Sequence, residues 1–321
     1  MMANHRRVLV TGGAGFIGSH LVDTLLDRGF RVTVLDNLNT GVRANINAGA
    51  DFIEGDVRNT DDIARAFDPS PDIVCHLAGQ ASIRLAWANP EADLNVNVVG
   101  TLNILSAAKK HRTPRLLYAS SMMIYGDPTI LPTPETAPAL PVAHYGVTKF
   151  AAERYVALAA EDPEHPLAVT SFRMFNVFGP RQALDNPYQG VLAIFLGHAL
   201  RGEKITIHSD GEQSRDFVFV DDICRAWADA IDTPVTFGRV FNLGSGRATT
   251  VNQLCDAVLR QFGQDRSTFE VTTAPAQLGD IRRSEAAIDA VAEALAWRPK
   301  VDLERGMAAT VAWARASESQ Y

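Results

Sequence analysis

Val8-Leu9-Val10-Thr11-Gly12-Gly13-Ala14-Gly15-Phe16-Ile17-Gly18-Ser19-His20 is the stretch whose reading decides the fold. A short apolar run breaks on glycines and resumes at helical spacing through Leu21, Val22, Leu25 and Leu26, stopping at Gly29. That pattern predicts a buried strand, a tight turn and a helix. Gly13, Gly15 and Gly18 match the dinucleotide fingerprint, in which one glycine allows the turn, one lets backbone approach a pyrophosphate, and one packs helix on strand. A second strand, Arg31-Val32-Thr33-Val34-Leu35, ends in Asp36, about 20 residues on, where a carboxylate can bind adenosine ribose hydroxyls. The competing reading, a glycine-rich turn without a ligand, explains neither that acid nor its spacing.

The surrounding composition fits a globular enzyme. The chain has 321 residues, 46% hydrophobic and 21% charged, enough to bury one large or two medium domains. With 37 acidic against 30 basic residues the net charge is -7, and no polybasic arm offers itself to nucleic acid. Cys75, Cys224 and Cys255 are odd in number and widely spaced, so they suggest buried thiols rather than a disulfide framework or a metal site. No run of about 18 apolar residues occurs and no apolar signal region precedes the first strand, so a cytoplasmic protein without membrane partners is expected.

Downstream, strands are predicted near 51–54, 72–77, 115–119 and 168–173, with helices over 61–67, Glu91–His111 and Tyr145–Glu161. Strand and helix alternate at short spacing, which predicts an α/β, Rossmann-type, doubly wound parallel sheet over residues 1–173. A smaller α/β substrate domain is expected over 174–321, with parts of 214–243 completing the first. Helices are predicted near 190–201, 221–232, 251–262, 285–295 and 303–316, and strands over 204–207, 214–220 and 240–243. Asp56, at the end of the third strand, reads either as an adenine contact or as the cap of the next helix. His76 reads as a core histidine. The proline-rich stretch from Pro128 to Pro141 reads as a functional loop. Tyr145 and Lys149, spaced i and i+4, share a helical face.

With Tyr145-x-x-x-Lys149 set behind the glycine turn and Ser120-Ser121, the chain resembles the extended short-chain dehydrogenase/reductase family, nearest its nucleotide-sugar 4-epimerases. Further landmarks are Gly55-Asp56-Val57, His76-Leu77-Ala78-Gly79, Asn97-Val98-Val99-Gly100-Thr101, Phe175 to Gln182 and Arg215-Asp216-Phe217. The resemblance implies NAD as cofactor, held by Gly12, Gly15, Phe16, Ile17, Gly18, Asp36, Asn37, Asp56, Val57, Leu77, Ala78, Gly79, Asn97, Ser120, Tyr145, Lys149 and Phe175. It implies a catalytic group of Ser121, Tyr145 and Lys149, with Tyr145 as the base at the sugar 4-hydroxyl and a 4-keto intermediate. A phenol with a reference pKa near 10 needs neighbouring positive charge, and Lys149 together with an oxidised nicotinamide would supply it.

The resemblance places the nucleotide sugar against Ser82, Ser121, Tyr145, Asn176, Val191, Ile205, Ile207, Arg215, Arg282 and Ser284. Arg215 and Arg282 take the diphosphate, for which guanidinium forks are suited. Arg181 reads either as another such ligand or as a surface residue. Small Ser284, in Gly279-Asp280-Ile281-Arg282-Arg283-Ser284, leaves room for an N-acetyl group at the sugar 2-position. The related dehydratases and decarboxylases carry an acid after the strand-five hydroxyl, where this chain has Met122-Met123. The reaction expected is therefore C4 epimerisation of a UDP-hexose. A uronic-acid, dTDP- or GDP-sugar epimerase, with Arg84 or Arg181 on a carboxylate, is the nearest alternative, and a non-catalytic NAD sensor a more distant one. Family likeness further implies a homodimer through Glu91–His111 and Tyr145–Glu161.

Overall fold

The glycines build the first turn in a different division of labour from the one the fingerprint suggests. In the computed structural model, which describes residues 6–185, 190–276 and 280–318, strand β1 (Arg7–Thr11) leads into helix α1 (Phe16–Asp27). Gly12, not Gly13, makes the turn: its φ is +73°, and a Cβ there would stand 2.7 Å from the Ala78 amide nitrogen. A Cβ at Gly13 would press on Val34, 2.8 Å away, and one at Gly18 on the Gly12 carbonyl oxygen, 2.0 Å away.

The chain continues through β2 (Arg31–Asp36), β3 (Asp51–Glu54), α2 (Thr60–Ala66), β4 (Ile73–His76), α3 (Ile83–Ala88), α4 (Pro90–Leu94), α5 (Gly100–Lys110), β5 (Arg115–Ser121), α6 (His144–Ala159) and β6 (Ala168–Met174). After β7 (Asn176–Phe178), α7 (Val191–Arg201), β8 (Ile205–His208), β9 (Ser214–Phe219) and α8 (Val220–Ala230), strand β10 (Arg239–Leu243) returns to the first sheet. The rest is β11 (Ala248–Thr250), α9 (Val251–Gln261), β12 (Val271–Ala274), α10 (Asp289–Leu295) and α11 (Leu303–Glu318).

Seven parallel strands form the main sheet in the order β10-β6-β5-β4-β1-β2-β3. Strand order reverses beside β1, the crevice where such sheets bind ligands at their carboxyl ends. Alternation along β1 explains the two apolar faces. Val8 and Val10 enter the core packed with α1 and α8, including Trp227, whereas Leu9 enters the opposite core with Leu35, Tyr118, Ala152 and Val156. A third core joins Phe178, Leu196, Phe217, Leu254 and Met307 beneath the small sheets β11-β9-β7 and β12-β8. Burying one such large side chain contributes roughly 1.5–3 kcal/mol.

Several sequence expectations change here. The long helix over Glu91–His111 is interrupted by a π-type turn at Asn95–Val99, and the helix expected from Glu285 starts at Asp289. The Asp56 capping reading fails, because the Asn59 side chain caps α2. Strands β7, β11 and β12 were not expected: each has three or four residues, too few to show alternation. Gly279 lies outside the described residues. Among the described residues no helix is long and apolar enough to cross a membrane.

Candidate active site

Because β1 to β6 run parallel, the residues after them gather along one edge of the sheet. Gly12, Gly15, Phe16, Ile17 and Gly18 form the rim after β1. Only the Gly12 carbonyl oxygen comes within 4 Å of a Cβ built on Gly15, so the backbone there is open to a large ligand. Asp36 accepts the Ala14 and Leu38 amides, both at 2.9 Å, which ties the β2 end to the glycine turn. Asn37 donates to Asp56, 2.8 Å away, while Arg58 holds the Asp56 carboxyl down to about 2. Val57 is buried against Gly100. After β4, the Ala78 amide donates to Thr11, and Leu77 and Gly79 flank it. This open, glycine-lined edge, carrying an acid at the end of β2, fits a dinucleotide such as NAD.

Beside that edge opens a cavity of about 630 Å³ between the main sheet and the second lobe. Phe16, Ile17, Ser120, Ser121, Tyr145 and Phe175 line it from the first side; Asn176, Val191 and Arg215 line it from the second, and Ser82 at the mouth. Ser82 also caps α3 by accepting the Leu85 amide. Arg215 is held rigidly: it donates to the Ser214 and Ile281 carbonyls at 2.7 and 2.8 Å and pairs with Asp280. The next residue along β9, Asp216, points away and binds the Ser245, Gly246 and Ala286 amides. Asn176, Gln182 and Gln213, all on the cavity wall, each carry a buried side-chain oxygen without a partner in this structure.

Tyr145 faces the cavity near the start of α6, one helical turn before Lys149. Burial pushes the Tyr145 phenol up to about 12, with the Ser121 hydroxyl drawing it the other way. Burial also brings the Lys149 ammonium down to about 7, opposed by Asp93 and Glu153. Its Nζ lies 4.5 Å from the Tyr118 ring centroid. In the protein alone desolvation is the largest influence on both groups, raising Tyr145 and lowering Lys149.

Ser120, though on the cavity wall, donates its hydroxyl to Glu153 at 2.6 Å. Glu153 accepts a two-point contact from Arg173, which also donates to Tyr125 at 2.9 Å. Asn97 is buried and serves the loop after β4, accepting the Gln80 amide at 2.9 Å and donating to the Gln80 carbonyl. His76 sits between Thr11 and Thr101, with burial pulling it down to about 3.

Four of the expected substrate residues lie elsewhere. Ile205 and Ile207 point into the third core, and strand alternation turns Thr206 and His208 to the cavity instead. Arg282 stands exposed, its fork on Asp210 at 2.7 and 2.9 Å. Ser284 is buried behind Met122, whose sulfur it contacts at 3.0 Å, so its small size says nothing about the sugar 2-position. Arg181 pairs with Asp23 on α1 and is not among the cavity-lining residues. The sequence reading missed Asp93, Thr148, Glu153 and Arg173; the i+4 step from Lys149 to Glu153 was the available signal.

Residues 8–244 match the model of the NAD dependent epimerase/dehydratase family. A UDP-glucose 4-epimerase of Mycolicibacterium smegmatis is 36% identical over 318 residues, covering 96% of this chain and 98% of that one. The crystal structure of a UDP-glucose 4-epimerase from Thermotoga maritima with UDP-glucose superposes with a TM-score of 0.92 at 39% identity, covering 97% and 99% of the two chains. A UDP-N-acetylglucosamine 4-epimerase of Methanobrevibacter ruminantium, in complex with UDP-N-acetylmuramic acid, gives a TM-score of 0.89 at 32% identity, covering 98% and 99%.

Proposed function

The chain belongs to the NAD dependent epimerase/dehydratase family, and on that premise we propose that it interconverts the C4 epimers of a UDP-hexose. The observation that carries this reading is Tyr145 beside Ser121 on the wall of a cavity that continues to the rigid guanidinium of Arg215. NAD, when bound, would supply a reversible hydride acceptor. Tyr145 takes the proton from the sugar 4-hydroxyl and later gives it back. Ser121 hydrogen-bonds the same oxygen, Lys149 adds positive charge, and Arg215 holds the diphosphate. Unpartnered acceptors on Asn176, Gln182 and Gln213 suit a ligand rich in hydroxyl donors. Met122 and Met123 line the cavity after Ser121, so no carboxylic acid stands there to drive water elimination or decarboxylation.

We assign NAD to residues 1–173 with β10, and the nucleotide sugar to 174–321. Leu94, Val99, Val147 and Leu158 are exposed on neighbouring helical segments around α4 and α6, which supports a homodimer through that face. The purified protein supplied with NAD is to be given UDP-glucose, UDP-N-acetylglucosamine and UDP-glucuronate separately. Conversion of UDP-glucose to its C4 epimer without net NADH is expected, while turnover of UDP-glucuronate alone would overturn the reading.

A further inference from the structure

Asp93 lies on α4, outside the cavity, and is buried. Three donors converge on its carboxylate. Thr148 Oγ1 donates at 2.6 Å, Gln80 Nε2 at 2.7 Å and Asn97 Nδ2 at 3.1 Å. Burial pushes the Asp93 carboxyl up, and the hydrogen bonds from Thr148 and Gln80 work against that by favouring the ionised acid. Each partner leads toward the reaction centre. Thr148 stands between Tyr145 and Lys149 on α6. Gln80 holds the Ser82 backbone through its own amide, donating to the Ser82 carbonyl at 2.8 Å, and Ser82 with Arg84 forms the cavity mouth. Asn97 clamps the Gln80 backbone. One carboxylate thus joins the catalytic helix, the α4 segment and the loop after β4.

We propose that Asp93 is a positioning residue: it locks the Tyr145–Lys149 stretch of α6 to the Gln80–Ser82 loop and keeps both proton-carrying groups in the field of a buried anion. This rests on the catalytic roles assigned above. The charged and titratable groups that face Asp93 are His144, Tyr145 and Lys149 on α6; Glu153 and His76 face Lys149 in turn, and Tyr118 faces Tyr145. The negative charge of Asp93 raises both Tyr145 and Lys149, adding to burial in the first and opposing it in the second. Its removal must therefore lower both.

Asp93→Asn can preserve the shape. Its Oδ1 can face Gln80 and Asn97, and its amide can face Thr148, whose hydroxyl has an alternative acceptor in the Tyr145 carbonyl at 3.1 Å. The variant is expected to lose about tenfold in kcat, to keep the KM for UDP-hexose, and to move both limbs of its pH profile toward acid by about one pH unit. Thr148→Val removes the bridge but not the charge, so it is expected to lower kcat with the limbs in place. Titration of 13C-labelled lysine by NMR reads Lys149 directly, without any substrate, and is expected to show the same acid displacement in Asp93→Asn. If Lys149 titrates as in the unaltered protein, or activity falls with both limbs unmoved, Asp93 only supports the fold and the proposal is overturned. A substrate other than a UDP-hexose would sink the reading of function but leave the lysine titration to decide this one.

Discussion

Replacing Gly18 by alanine tests the turn to which we assign cofactor binding. The new Cβ would lie 2.0 Å from the Gly12 carbonyl oxygen, 2.8 Å from its carbon and 2.9 Å from the Gly13 Cα. A carbon–oxygen contact is comfortable from about 3.3 Å, so the turn must open by more than about 1 Å. All the obstructing atoms are backbone. They are held by the Gly12 amide on Leu35 at 2.9 Å and the Gly15 amide on Gly12 at 3.2 Å, so no side chain can swing away. Overpacking of this kind costs about 1–3 kcal/mol, offset by about 0.5–1 kcal/mol from alanine's better helix propensity, leaving a net loss of roughly 0–2.5 kcal/mol, centred near 1 kcal/mol. Gly15→Ala is the companion variant. Its Cβ meets only one atom, the Gly12 oxygen at 3.2 Å, so the fold is expected to survive while the methyl intrudes on the open edge. Thermal unfolding with and without NAD separates the two. Gly18→Ala should melt lower and lose at least tenfold in NAD affinity, about 1.4 kcal/mol; Gly15→Ala should melt normally yet gain little from NAD. A Gly18→Ala protein that melts and binds NAD like the unaltered one would refute the steric argument.

Tyr145→Phe is expected to reduce kcat by about 10²- to 10⁴-fold with little change in KM, as removal of a general base requires, and epimer formation followed by chromatography measures it. Lys149→Met is expected to destroy activity and stabilise the cofactor-free fold. The native Lys149 has been brought from 10.5 to about 7, so the penalty of burying its charge is fully present below pH 7 and fades as pH rises to 10.5. The gain, on the order of 5 kcal/mol at most, should raise Tm by roughly 5 °C at pH 7 and disappear near pH 10.5; a gain that grows with pH would contradict the assignment. Arg215→Lys should raise the KM for the nucleotide sugar about tenfold while leaving NAD binding unchanged, because an ammonium cannot reproduce the fork on Ser214, Ile281 and Asp280.

The seven-stranded sheet and its glycine turn were legible in the sequence, because their signals are local. Gly12 to Gly18, the acid that ends β2 and the regular alternation of apolar runs each depend on neighbours in the chain. The pairing of Tyr145 with Lys149 was equally readable, since i and i+4 share a helical face whatever lies around them. The second lobe was not. Ile205 and Ile207 could be distinguished from Thr206 and His208 only once β8 had a core on one side and a cavity on the other. Arg282 and Ser284 had the residue types expected of a phosphate ligand and a small pocket wall, yet their backbone turns one to Asp210 and the other behind Met122. Asp93 gave no sign of itself, because its partners come from Gln80, Asn97 and Thr148, up to 55 residues away. Turns and helical faces follow from short-range sterics and period, which the order of residues carries. Which side of a short strand is wet, and which acid lies beside a buried lysine, follow from how distant segments pack and exclude water.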